Sequence, residues 1–388
     1  MAGARDMQYN KDRILVTHVG SLPRSTELMK FLTARDTKQD YDEAAFRACL
    51  KNAVGDIVRK QVDFGIDIVN DGELGKIGYG AYAKERLSGF DGVDAPKLSA
   101  SDLDEFPVYY RRLYGPEGFD KMVRPQCTGP ISYVGQADLA FDIDTLREAM
   151  AGIKAASGFL NAASPGAIGL WLGNAYYKSH ERFVWAIAEA MQTEYEVIAA
   201  AGLILQIDAP DIGMGRHMQF RDLSVADYRK VVEMHLAALN HATRNIAPKR
   251  MRMHICWGNY DGPHHHDIEF KELIDLVLMM RPLGLSLEGG NPRHEHEWKL
   301  WRDRDLGRDI VLLPGVINSV THRIEHPELV ADRLCRYAEC VGRENVIAST
   351  DCGMSSQAGH SKVDPDIGWE KYRAMAAGAK LASARLWN

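Results

Sequence analysis

The sequence predicts an α/β chain, a (β/α)8 TIM barrel with insertions after the second and third strands. Three observations carry that prediction. Short aliphatic and β-branched runs alternate with amphipathic helical stretches, the pattern of a parallel sheet wrapped by helices. Eight such runs can be placed along the chain, the number that closes a barrel. The first strand-to-helix turn, Gly20-Ser21-Leu22-Pro23, has no GxGxxG, which argues against the doubly wound open sheet.

The first run is 14–19 (ILVTHV), and an amphipathic stretch over 41–64 follows it. The second, 66–69 (IDIV), runs into Asn70-Asp71-Gly72-Glu73. The third is placed near 123–128 or 131–134, around the turn Thr128-Gly129-Pro130. A long helix over 181–201 ends at Gly202, a residue suited to a left-handed C-cap. The fourth strand, 203–207 (LILQI), leads to Asp208, and a helix over 224–245 leads to the fifth, 251–255 (MRMHI). A helix over 268–280 precedes the sixth at 285–287, and the seventh is 310–313 (IVLL) before Pro314-Gly315. The helix 327–341 leads to the eighth, 346–349 (VIAS), and a last helix spans 369–386. Such a barrel takes about 250 residues. The 388 present therefore leave an excess, which falls at about 74–121 and 135–178. These stretches are expected to form a rim or lid on one catalytic domain spanning 1–388.

Composition narrows the function. With 47 Lys plus Arg against 53 Asp plus Glu, the net charge is −6, so the basic footprint of a nucleic-acid binder is missing. No apolar run reaches the length of a membrane span, and residues 1–11 are polar with no apolar signal region. A cytoplasmic location without membrane attachment is expected. Six cysteines are too sparse for a disulfide scaffold in a chain this long.

The polar residues that end the strands are the functional signal. The first strand ends in His18 and Ser21, the second in Asp71 and Glu73, and the fourth in Asp208. The fifth carries His254 and Cys256, the sixth ends in Glu288, and the eighth in Asp351 and Cys352. In a barrel these ends converge on one face, where active sites are built. Residues two apart in a strand point the same way, so His254-x-Cys256 presents an imidazole and a thiol together. With Glu288 and Cys352 they make a His, Cys, Glu, Cys set, and thiolates plus imidazole favour zinc over magnesium or calcium. The alternative is that the cysteines are ordinary buried residues and His254 a core histidine. His264, His265 and His266, and the pair His294 and His296, read as polar loop residues. Cys49, Cys335 and Cys340 fall in predicted helices.

Taken in order, these residues carry a resemblance. Thr17 to Arg24 (THVGSLPR), Asp71-Gly72-Glu73, Gln206-Ile207-Asp208-Ala209-Pro210, His254-Ile255-Cys256, Glu288 and Asp351-Cys352-Gly353 resemble the catalytic barrel of the cobalamin-independent methionine synthase family, across most of the chain. The resemblance implies zinc (Zn2+) on His254, Cys256, Glu288 and Cys352. It implies a homocysteine-like thiol bound by Ser21, Glu73 and Asp208, with His18 in the same first-strand motif. It also implies methyl transfer from a methyltetrahydrofolate-like donor to give methionine.

Three departures qualify the implied substrate. The family's second barrel has no room here. Val320 stands where the family places a proton-donating histidine in the segment after the seventh strand, and His322, two residues on, is the expected substitute. Arg24 follows Pro23, where these synthases tend to have a neutral polar residue. The segments 291–298 and 325–329 look like a single-barrel branch that includes epoxyalkane:coenzyme M transferase, which adds a thiol to an epoxide. A sulfonate thiol of that kind would call for a cation such as Arg24 or Arg293. A metal-free, decarboxylase-like barrel is a further alternative. The sequence leaves open the thiol, the methyl or alkyl donor and whether the chain forms a homo-oligomer.

Overall fold

The computed structural model describes residues 7, 9–93, 95, 98–115, 124–302, 309–359 and 361–388. Its strands are β1 (Ile68–Val69), β2 (Gln126–Cys127), β3 (Ser157–Ala163), β4 (Gly173–Asn174), β5 (Ile204–Asp208), β6 (Met251–Ile255), β7 (Gly284–Leu287), β8 (Val311–Ile317) and β9 (Ser349–Thr350). Seven of them form one parallel sheet in the order β1-β3-β5-β6-β7-β8-β9. The segment 14–19 joins its two edges. The N–H groups of Asp67 and Ile68 donate to Val16 O, and Thr17 N–H donates to Ala348 O across a parallel bridge between Val16 and Ala348. The expected first strand thus closes the barrel while making too few ladder bonds to count as a regular strand.

The third strand is a correction. It is Ser157–Ala163, not 123–128 or 131–134. Its sequence, SGFLNAA, has no β-branched residue, so composition gave no sign of it. Close packing explains the small residues: a Cβ on Gly158 would lie 2.4 Å from Met150 Sδ. Gln126–Cys127 instead pairs with β4 in a separate two-stranded ribbon. Residue 123 lies outside the described residues, as do 116–121 at the end of the first expected insertion. The excursion from β1 to β3 carries helices Tyr79–Arg86, Ser101–Asp104, Pro107–Tyr114 and Gln136–Ala149. The last of these packs on helix Glu43–Asp63, as a regular barrel helix does.

The helices form where caps and apolar stripes coincide. Asp42 accepts the Ala45 N–H at the start of Glu43–Asp63, and Phe46, Leu50, Val54 and Val58 recur every fourth residue on its buried face. Ser179 and Ser224 cap His180–Ala200 and Val225–Ala242 in the same way. Gly202, at φ 87°, takes the left-handed position just past the first of these helices. The predicted helix 268–280 is two short pieces instead, Phe270–Glu272 and Ile274–Val277. Among the described residues no helix is long and apolar enough to cross a membrane.

Inside the barrel the side chains stack in layers. Leu15, Ile68, Phe159, Ile204, Val311, Leu313 and Ile347 belong to one apolar cluster toward the strand starts. Above them Arg252 lies over the Phe159 ring and donates to Gln206 Oε1, Thr17 Oγ1 and His18 O. The buried guanidinium is thus satisfied within the barrel, and the next layer, at the strand ends, is left for chemistry.

Candidate metal and substrate site

Strand register assembles the site. Asp208 on β5 pairs with His254 on β6, which pairs with Ser286 on β7. Alternation along β6 then carries Arg252, His254 and Cys256 upward on the same face. His254 Nδ1 lies 3.2 Å from Ser286 Oγ, and its Nε2 lies 3.5 Å from Cys352 Sγ. The ligand atoms of His254, Cys256 and Cys352 all lie within 4.8 Å of one another, and all three residues are buried. A hydrogen bond from Cys352, with His254 beside it, holds the Cys256 thiol down to about 6 despite burial. The same bond pushes Cys352 up.

This donor set fits zinc. Ligand distances of about 2.0–2.1 Å to nitrogen and 2.3 Å to sulfur place N and S about 3.5 Å apart on a tetrahedral edge. The observed separation of Cys352 Sγ from His254 Nε2 is 3.5 Å. Glu288, the remaining expected ligand, is buried just after β7, and its charge bears on all three residues. Its oxygens accept from Trp257 N–H at 2.8 Å and Asn291 Nδ2 at 2.7 Å, and it is not part of the 4.8 Å set. A carboxylate oxygen has lone pairs enough to keep such a bond and still ligate. Asp351 Oδ1 accepts from Gly289 N–H at 2.9 Å and Gly290 N–H at 2.7 Å, which ties the loop carrying Glu288 to β9.

Two carboxylates flank this set. Asp208 is fully buried; Oδ1 accepts from Gln206 Nε2 at 2.8 Å, and Oδ2 from Asn161 Nδ2 at 3.0 Å and Tyr79 OH at 2.9 Å. Glu73 has φ 53°, held there by its N–H bond to Asp71 Oδ1. Burial lifts its carboxyl to about 7; Lys76 opposes the rise and Asp208 reinforces it. Gly20 must be glycine here, because a Cβ would lie 2.6 Å from Glu73 Oε1 and 2.5 Å from Asn161 Nδ2. Ser21 is buried beside Gly353, the residue after Cys352, where an added Cβ would meet Ser21 Oγ at 1.9 Å.

Two expected site residues lie elsewhere. His18 is held away from the ligand set, its ring edge-on to Phe159 below that layer. Its Nε2 lies 2.8 Å from Gln61 Oε1 on helix Glu43–Asp63, and its ring meets Tyr372 edge-on. Burial pulls its pKa down to about 3, so it is a neutral packing residue. His322 is exposed, and its Nε2 accepts from Asp364 N–H at 3.3 Å. Arg24 is a half-buried loop clamp: its terminal nitrogens donate to the carbonyls of Leu22, Glu73, Lys76 and Ser355.

A cavity of about 430 Å³ opens on Glu288 and Cys352, with Tyr260, His264, Asn318 and Val320 among its walls. His264 Nδ1 lies 2.9 Å from Asp267 Oδ2 and Nε2 3.0 Å from Tyr260 O. Burial lowers its pKa, but Asp267 outweighs this and the net shift is up to about 9. His294 is buried, stacked on Trp257 and bonded to Asp267 and Glu297, whereas His296 is exposed. Sequence reasoning missed Asn161, Tyr79 and Ser286. Ser286 was findable, because it stands two residues before Glu288 and so shares its face.

No protein-family model matches the chain. It is 24% identical over 376 residues to a methionine synthase of Sulfurisphaera tokodaii, covering 96% of this chain and 93% of that one. It is 26% identical over 342 residues to a methionine synthase of Sulfolobus acidocaldarius, covering 87% and 85%. Among solved structures, a B12-independent methionine synthase from Shewanella, in complex with selenomethionine, superposes with TM-score 0.72 at 21% identity, over 96% of this chain and 99% of that one. A putative vitamin-B12 independent methionine synthase from Listeria monocytogenes gives 0.65 at 19%, over 98% and 100%. These likenesses place the fold among the barrels of such synthases. The chain is similar in sequence to curated methionine synthases and in fold to the B12-independent ones.

Proposed function

We propose that the chain transfers a methyl group to the thiolate of an amino-acid thiol of the homocysteine type, with zinc held by His254, Cys256, Glu288 and Cys352. One observation carries the reading: a buried imidazole and two thiols converge within 4.8 Å, beside the buried carboxylates Glu73 and Asp208. The named relatives, methionine synthases at 24–26% identity, agree with it.

Zinc in that set would supply a Lewis acid that keeps a thiol deprotonated at neutral pH. The chain's own residues do the rest. Ser286 takes the His254 Nδ1 proton in a hydrogen bond, which leaves the Nε2 lone pair facing the two thiols. Glu73 and Asp208 bind the substrate ammonium, and Tyr79 and Asn161 orient Asp208 for it. The cavity above Cys352 receives the donor, of methyltetrahydropteroylglutamate type. The departing pterin nitrogen needs a proton. His264 is the histidine on that wall among the described residues, and it takes the role expected of His322 once its Nε2–H turns from Tyr260 O to the donor.

A sulfonate thiol would rest on Arg293, exposed on the cavity wall, since Arg24 spends its terminal nitrogens on four backbone carbonyls; the buried carboxylates Glu73 and Asp208 favour an ammonium instead. The converging thiols likewise disfavour a metal-free decarboxylase. The test is S-methylation of homocysteine by methyltetrahydropteroylglutamate, run beside coenzyme M with an epoxide. Methionine formation that depends on bound zinc supports the proposal. Alkylation of coenzyme M alone, or turnover by folded metal-free protein, would overturn it.

A further inference from the structure

The three consecutive histidines after β6 part ways. His264 enters the cavity wall, while His265 and His266 turn outward to meet Glu105 on the rim. His265 Nε2 lies 2.8 Å from Glu105 Oε2 and His266 Nε2 2.5 Å from Oε1, and the two rings are 4.3 Å apart. All three residues are exposed, with ligand atoms within 4.8 Å of one another.

As an ion cluster this is poorly balanced. Protonating both rings sets two like charges against one carboxylate at a spacing where repulsion is felt even near water. As a metal shell it is well formed: two imidazole nitrogens, one carboxylate, and further positions open to water. Each Glu105 oxygen faces one ring nitrogen. Among the described residues neither Nδ1 is bonded within the protein, so each ring can carry its proton there while Nε2 ligates.

The position gives such an ion a consequence. The rim already touches the β6 turn at this seam, where Asp102 accepts from Tyr260 OH and His264 N–H, each at 2.9 Å. Tyr109 OH donates to Asp261 O alongside. Tyr260 and His264 are also walls of the donor cavity. We propose that Glu105, His265 and His266 form a second divalent-metal site, of zinc type, that pins helices Ser101–Asp104 and Pro107–Tyr114 to the β6 turn beside that cavity.

The test uses tag-free full-length protein titrated with zinc against a chromophoric chelator. Wild type should take about two equivalents per chain in two classes. The variant Glu105→Gln/His265→Ala/His266→Ala should lose the weaker class and keep the tighter one, and Cys352→Ser should do the reverse. Filling the weaker class should slow amide exchange over residues 101–114 in wild type and leave the triple variant unchanged. His265→Ala alone, an exposed change, guards against a folding artefact and should weaken the same class at least tenfold. A class that survives Cys352→Ser and disappears in the triple variant supports this site even if the buried set holds no zinc, so the two readings fail separately. Wild-type stoichiometry equal to that of the triple variant would overturn the site. Zinc uptake without slowed exchange would overturn the pinning.

Discussion

Asp208→Asn is expected to cost the amino-acid thiol roughly 10- to 150-fold in affinity and to leave its deaminated analogue nearly unaffected. Asp208 is fully buried, with Gln206, Asn161 and Tyr79 fixing its two oxygens. A hydrogen bond between charged groups in such a setting contributes about 1.5–3 kcal/mol, and each 1.4 kcal/mol is tenfold. Asparagine keeps the shape and loses the charge. The partner carboxylate adds a pH signature. Without a bound cation Glu73 titrates at about 7, because burial favours its neutral form. An ammonium ligand selects the ionised form, so its affinity falls as pH drops through that value, by about tenfold per unit. Above about pH 8 the effect is gone. Calorimetry of homocysteine and 4-mercaptobutanoate from pH 5.5 to 8.5 reads this as an affinity ratio, which cancels the deprotonation of the thiol common to both. Equal affinities in wild type, or a ratio that Asp208→Asn leaves unchanged, would refute the reasoning.

Ser286→Ala should weaken zinc binding by about 10- to 100-fold in chelator competition, because it frees the His254 ring that Ser286 orients. His264→Gln should lower kcat by about 100-fold or more with unchanged thiol affinity, whereas His322→Gln, out on the surface at Asp364, should leave both unchanged. His18 predicts an acid sensitivity. Its folded pKa of about 3 lies below the ordinary 6.5, so the stability it confers is complete above about pH 6.5. That stability is lost as pH falls toward 3, by about 1.4 kcal/mol per unit. Urea unfolding between pH 7 and 4.5 should therefore show a shallower decline in His18→Gln.

The barrel and the convergence of His254, Cys256 and Cys352 were legible for the same reason. Strands such as LILQI and MRMHI keep an apolar residue at every second position and run into Asp208 and Cys256, so sequence position and site position coincide. Where a strand lacks that signature the reading failed. Ser157–Ala163 has no β-branched residue and carries Gly158 where Met150 packs, and with it went Asn161, which orients Asp208. His18 shows a different failure. Its motif was noticed, but Gln61, Phe159 and Tyr372 enclose the ring away from the ligand set, and the residue was assigned by motif and not by face. His322 and the triplet 264–266 could not be sorted from sequence. Loop direction decides which histidine meets the cavity, and Glu105, the acid that claims His265 and His266, lies 160 residues or more away in the chain.

Zinc-edge X-ray absorption of the protein as purified, with elemental analysis, tests the central assignment most directly. Zinc on His254, Cys256, Glu288 and Cys352 predicts about one tightly bound ion with a shell of two sulfurs at about 2.3 Å and a nitrogen near 2.0–2.1 Å. Cys352→Ala should reduce the sulfur count or empty the site, with circular dichroism unchanged. A shell of nitrogen and oxygen only, or a folded and active protein without zinc, would contradict the account.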